Sequence, residues 1–298
     1  MKLTARQQSA QVVLAGPATH CMLFGGSRSG KTFLLVRNIV MRALKAPGSR
    51  HAILRFRFNH CKASIVLDTF PKMMQVAFPN VSYHLDKSDW YVSFPNKSQI
   101  WFAGLDDKER TEKILGQEYA TLELNECSQI PQNSRDMAVT RLAQRVTQHV
   151  QGEDSKDLRP RMYYDCNPPS KAHWSYRMFV EKRDPETKQP LAKPDDYAFF
   201  QINPEDNADN LPVGYLDTLR GLSMRLQKRF LRGEYADATP NQLFSEEVID
   251  KWRVLDGVVP DMVRVVVAVD PSGADDQDNA DNDAIGIAVV GIGTDGNA

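Results

Sequence analysis

The segment Gly25-Gly26-Ser27-Arg28-Ser29-Gly30-Lys31-Thr32 constrains this 298-residue chain more than any other feature. It fits the pattern GxxxxGK[ST], and its flanks fit the structural context that the pattern needs. Before it, the apolar run His20-Cys21-Met22-Leu23-Phe24 reads as a short buried strand. After it, Phe33, Leu34, Val36, Ile39, Val40 and Leu44 recur near helical spacing, which predicts a helix over 31–44. Strand, glycine loop and helix together make a phosphate cradle. Glycines let the backbone wrap closely, so that successive N–H groups point at an anion, and the helix adds the positive end of its dipole. In this reading Lys31 reaches the β- and γ-phosphates of ATP, and the Thr32 hydroxyl binds Mg²⁺.

The rest of the chain alternates in a way that suits such a loop. A helix is predicted over 4–15, closed by Gly16-Pro17, and a strand over 52–56. A helical stretch over 62–77 is kinked by Pro71. Residues 90–94 and 99–102 read as a hairpin around Pro95-Asn96. Strands over 119–124 and 161–166 enclose a helix over 134–146, and 212–233 is again helical. Two further strands are expected over 263–269 and 284–292. Alternating strands and helices predict an α/β class, a P-loop NTPase with a mainly parallel central sheet flanked by helices.

Composition adds exclusions. With 42% apolar and 25% charged residues, the chain is neither fibrous nor disordered in character. The net charge of −1 hides a strong asymmetry, because residues 1–67 hold eleven Lys and Arg and no Asp or Glu. A basic front and an acidic back point to different charged partners for different parts. Cys21, Cys61, Cys127 and Cys166 form no CxxC pair, so neither a zinc site nor a redox motif is indicated. No stretch reaches the roughly 18 apolar residues of a membrane span. The start, MKLTARQQSAQ, lacks the apolar core of a signal peptide, so a cytoplasmic protein without membrane partners is expected.

A P-loop enzyme of this kind needs an acidic pair at another strand's end. Thr121-Leu122-Glu123-Leu124-Asn125-Glu126 is the best candidate. Glu126 could orient and deprotonate the attacking water, or it could merely cap the next segment. Asn125 stands where an Asp usually holds the magnesium shell, and its amide could accept a hydrogen bond from a metal-bound water without bringing charge.

Several segments, taken in order, resemble the large terminase subunit of tailed bacteriophages, the motor that packs DNA into a capsid. Leu3-Thr4-Ala5-Arg6-Gln7 resembles the family's adenine-reading segment, with Gln7 at the glutamine position. The loop 25–32 resembles its phosphate loop, and Lys113-Ile114-Leu115-Gly116 before the acidic strand is also similar. Asp165-Cys166-Asn167-Pro168-Pro169 resembles the coupling motif, in which Asn167 would sense the γ-phosphate. Val267-Ala268-Val269-Asp270-Pro271-Ser272-Gly273 resembles the opening strand of the family's nuclease domain.

The resemblance implies a P-loop ATPase domain over 1–240 with a small helical lid near 175–240. A linker over 241–261 and the first strands of an RNase H-like domain over 262–298 follow. That nuclease half would be incomplete here, so the chain is expected not to cleave DNA by itself. Of the carboxylates that would bind its Mg²⁺ or Mn²⁺, only Asp270 carries over; Asp283 lies in an acidic run that also reads as a solvated loop. The family implies a homo-oligomeric ring in the host cell cytoplasm, acting on double-stranded DNA with a procapsid portal protein and a small terminase subunit. Arg141 sits where the family often supplies an arginine to a neighbouring active site, with Arg28 as the other candidate. Arg55, Arg57, Arg225 and Arg229 could touch DNA phosphates, or could be ordinary solvated charges. The rival readings are a helicase-like ATPase and an ATP-gated DNA-binding module with little turnover.

Overall fold

The computed structural model describes residues 3–106, 114, 116–236, 251–252, 261–270 and 286–295. The chain forms two units, Met1–Thr239 and Pro240–Ala298.

The first unit is built on an eight-stranded sheet of order β10-β1-β9-β6-β2-β5-β4-β3. Its parallel part comprises β10 (Tyr197–Gln201), β1 (His20–Phe24), β9 (Arg161–Cys166), β6 (Thr121–Leu124), β2 (Arg50–Arg55) and β5 (Gln99–Gly104). β4 (Tyr91–Ser93) and β3 (His84–Asp86) continue it in antiparallel fashion from β5. Every residue of β1, β9 and β6 is buried, including the polar or charged Thr121, Glu123, Arg161 and Asp165.

Successive side chains feed two cores on opposite faces. Cys21, Leu23, Ile53, Phe102 and Tyr163 join one face with Leu34, Leu35 and Ile39 of α2 (Lys31–Lys45). Met22, Ala52, Leu122, Leu124, Met162 and Tyr164 join the other with Ala138 of α5 (Gln132–Val139). The first helix, α1 (Ala5–Ala15), starts in a capping box. There the Gln7 amide donates to Thr4 Oγ1 at 3.3 Å and the Thr4 amide to Gln7 Oε1 at 3.1 Å.

Several expectations need revision. The helical stretch begins at Phe58 and runs as α3 (Phe58–Cys61), a π-helical segment (Lys62–Thr69) and α4 (Phe70–Ala77). Pro71 is the second residue of α4, directly after the π-helical segment, so the irregularity precedes it. Helix α5 ends at Val139, well short of 146; Thr147–Gln148 instead pairs with Lys156–Asp157 as the small ladder β7-β8. The segment 175–240, read as a helical lid, contains strand β10, which joins the main sheet beside β1. The run Tyr197-Ala198-Phe199-Phe200-Gln201 carries strand-forming residues that the helical reading passed over. Its helices are short: Trp174–Tyr176 (α6), Tyr215–Arg220 (α7) and Met224–Phe230 (α8).

In the second unit β11 (Met262–Asp270) pairs antiparallel with β12 (Gly286–Gly293), and Asp270 lies opposite Gly286. Lys113, Leu115, Pro271, Ser272, Gly273, Asp283 and most of the expected linker lie outside the described residues.

Candidate functional site

Parallel strands share one carboxyl edge, and open α/β sheets bind ligands in the crevice outside it. Here that edge gathers the loop after β1, Asn125 and Glu126 after β6, and Asn167 after β9. The loop is bent as a cradle requires, with Gly25, Arg28 and Gly30 at φ of +145°, +56° and +86°. The glycines also serve a second purpose. A Cβ on Gly25 would stand 1.9 Å from the Ile202 carbonyl oxygen, and one on Gly26 would stand 2.4 Å from that of Phe230. The chain after β10 therefore presses directly on the loop. The Ser27 amide donates to the Phe230 carbonyl at 2.8 Å, and the Gly26 amide to Asn203 Oδ1 at 3.0 Å.

Lys31 is buried and folds back along the loop. Its Nζ donates to Gly26 O at 2.7 Å, Ser29 Oγ at 3.0 Å, Gly25 O at 3.2 Å and Asn167 Oδ1 at 3.3 Å. Burial pushes its pKa down, against the pull of Asp165 and Glu126. The lysine of the loop and the asparagine of the β9 end are thus in contact.

Asp165 sits at the centre of the cluster and was not among the expected site residues. It is 1% exposed. Thr32 Oγ1 donates to its Oδ2 in a short hydrogen bond. Asn125 Nδ2 donates to Oδ1 at 2.9 Å and Oδ2 at 3.1 Å, and the Glu126 amide donates to Oδ1 at 2.9 Å. Asn125, at 2% exposed, also reaches Thr32 Oγ1 at 3.4 Å. The sequence signal was a single acid closing an aromatic strand; its meaning depends on a register that pairs it with Leu23 of β1.

Glu126 adopts a left-handed backbone, φ +51° and ψ +50°. A non-glycine residue held there marks a site where surrounding contacts override local preference. Burial and the Asp165 charge push its pKa up, while Lys31, Arg55 and Arg229 oppose the shift. A raised carboxyl beside an anion cradle suits a general base.

On the other side of the loop, Gln7 Nε2 donates to Asn207 Oδ1 at 3.4 Å, and Asn207 Nδ2 to the Arg28 carbonyl at 2.8 Å. Gln7 therefore borders the cradle, and a Cβ on Gly30 would meet its Nε2 at 2.7 Å. Asn203 and Asn207 are site-lining residues that sequence reasoning missed, because nearly 180 residues separate them from the loop.

The remaining candidates fall elsewhere. The Tyr119 amide donates to the Arg141 carbonyl at 2.8 Å, which puts Arg141 at the amino end of β6, opposite Glu126. It does not join this cluster. Arg55 closes β2 and its Nη1 donates to Ser64 Oγ at 2.6 Å; Arg57 precedes α3. Arg55 and Arg229 act on Glu126 electrically, a place not foreseen for presumed DNA contacts. Arg225 and Arg28 are exposed. Asp270 ends β11 in the second unit.

The family described as phage terminase large subunit matches residues 18–230. No curated protein matches the sequence. Among solved structures, the large terminase of a thermophilic bacteriophage aligns with a TM-score of 0.62 at 14% identity, covering 83% of this chain and 57% of its own. A structure of that terminase with ADP aligns with a TM-score of 0.59 at 15% identity, covering 77% and 52%. The large terminase ATPase domain of a Thermus phage gives a TM-score of 0.52 at 14% identity, covering 79% and 94%. The chain spans just over half the length of the first two, and identities this low establish likeness of fold. Since the matched family segment runs from before β1 to the last residue of α8, the chain belongs to the phage terminase large subunit family.

Proposed function

We propose that the chain is the ATP-hydrolysing part of a DNA-packaging motor and moves double-stranded DNA into a procapsid. One observation carries this reading: Thr32 of the loop and the Glu126 amide both bond Asp165, and Asn167 touches Lys31. A related large terminase has been solved with ADP and with ATP-γ-S, which supports a nucleotide here.

Triphosphate binding places phosphate oxygens against the loop amides and Lys31, whose partners among the described residues are loop oxygens and Asn167. Gln7 borders the base side. Mg²⁺, when bound, supplies positive charge to the phosphates, and a hard cation of this kind suits the oxygen of Thr32 and, through water, Asn125. Glu126 orients a water and takes its proton. When the γ-phosphate leaves, Lys31 returns to loop partners and Asn167 shifts with it. Asn167 continues into the segment that reaches Trp174, whose Nε1 donates to Ile130 O at 2.8 Å. In this reading the motion passes along that segment toward residues 175–236, and Arg57 and Arg225 grip the DNA.

In the second unit, Asp270 would be the first metal carboxylate of an RNase H-like nuclease domain, binding Mg²⁺ or Mn²⁺ together with acids from other strands. A homo-oligomeric ring on the portal, a small terminase subunit and the host cytoplasm complete the proposed setting. Among the described residues no helix is long and apolar enough to cross a membrane.

Steady-state ATP hydrolysis with and without duplex DNA tests the reading. Slow turnover raised by DNA is expected, and Lys31→Ala should abolish both nucleotide binding and turnover. Retention of either by that variant would remove the loop assignment; binding without turnover in the unaltered chain would favour an ATP-gated module.

A further inference from the structure

The Thr32 hydroxyl is the loop's own metal-facing oxygen in the proposed site, so the group that accepts its hydrogen bond marks where the second oxygen of a magnesium shell belongs. At position 125, the expected place, stands an amide. The hydroxyl instead donates to Asp165, at the end of the neighbouring strand.

Sheet order explains how this is possible. β9 lies between β1, which leads into the loop, and β6, which leads into Glu126. The β1–β9 register pairs Leu23 with Asp165, two residues before Gly25. The β6–β9 register pairs Leu124 with Tyr164, so Asn125 and Asp165 stand side by side at the same level. A carboxylate at either position projects toward the same hydroxyl.

We propose that Asp165 is the carboxylate of the magnesium shell, and that Asn125 is a positioning residue that holds it. The inference rests on the nucleotide-binding reading above. Asn125 Nδ2 donates to both Asp165 oxygens, at 2.9 and 3.1 Å, which fixes the plane of the carboxylate. An Asp at 125 would instead set two like charges within hydrogen-bond distance, and one of them would have to stay protonated. The amide is therefore the residue that an Asp on β9 permits. The Glu126 amide, at 2.9 Å from the same carboxylate, ties the metal's acid to the water-activating base. The family's acidic pair is thus kept in substance, with its first member moved one strand toward the loop.

The affinity of the purified chain for a fluorescent ATP analogue, measured in Mg²⁺ and again in EDTA, tests this without reference to turnover. Magnesium should tighten binding by the unaltered chain. Asp165→Asn should reduce the ratio of the affinities in Mg²⁺ and in EDTA by about 10- to 100-fold, the usual range for disturbing a metal's supporting groups. Water-proton relaxation in Mn²⁺–nucleotide mixtures should show the same loss. Asn125→Ala keeps the carboxylate and should retain most of the metal effect; it carries the test where Asp165→Asn does not fold. A full magnesium effect in Asp165→Asn, or its complete loss in Asn125→Ala, overturns the assignment. Nucleotide binding that is absent from the unaltered chain in both buffers sinks the parent reading, and the assignment with it.

Discussion

Glu126 combines a left-handed backbone with a buried carboxyl whose pKa is raised by desolvation and by Asp165. In the proposed mechanism Glu126 acts deprotonated, so turnover should fall as pH drops through that raised pKa, and hydrolysis followed from pH 5 to 9 checks it. Glu126→Gln removes the proposed base and should lower kcat by about 10²- to 10⁴-fold with nucleotide binding intact. Glu123, two residues earlier, is the opposite case: fully buried, with neither carboxyl oxygen hydrogen-bonded. Burial first, and then Asp165, push its pKa well up. The folded state therefore holds this proton at pH values where the unfolded chain has released it. Its contribution is most favourable below the ordinary carboxylate pKa and is lost as pH rises toward the folded value. Glu123→Gln should be less pH-dependent than the parent protein, with the stability gap growing above pH 4.5; urea midpoints across that range measure it. Glu123 reads in the sequence as an ordinary strand residue, and only its place between two buried strands makes it costly.

At the scale of elements, the glycine loop is shaped by the chain that packs behind it. Gly25 combines φ of +145° with a carbonyl oxygen 1.9 Å from any added Cβ. Gly25→Ala must therefore move the segment at Ile202 away from the loop. Backbone strain of this kind costs about 1–3 kcal/mol, before the lost packing is counted. Both a lower melting temperature and weaker nucleotide binding are expected, and calorimetry with and without ATP separates the two effects. The strand, loop and helix from His20 to Lys45 were legible because apolar periodicity and glycine spacing are local signals. β10 was not recovered, because an edge strand that follows a long connection is recognised by what it pairs with. The π-helical segment also left no sequence signature, since it depends on how α3 and α4 pack against β5.

At the scale of the whole molecule, both packed cores lie inside Met1–Thr239. A fragment of residues 1–239 should unfold in one cooperative transition and bind ATP with the affinity of the full chain, as shown by calorimetry and titration. A fragment that fails to fold would mean that the second unit contributes to the first. The motif order identified the family, and the loop, Glu126 and Asn167 were singled out because each motif is written in consecutive residues. Sequence by itself determined the strand-loop-helix unit over 20–45 and the alternating α/β plan, since hydrophobic period and turn chemistry act over a few neighbouring positions. Tertiary structure alone decided that Asp165 stands beside Thr32, that Asn203 and Asn207 line the loop, and that Arg141 stands at the far end of β6. Those outcomes follow from strand order and register, which set neighbours across a sheet and leave no trace in the spacing of residues along one strand.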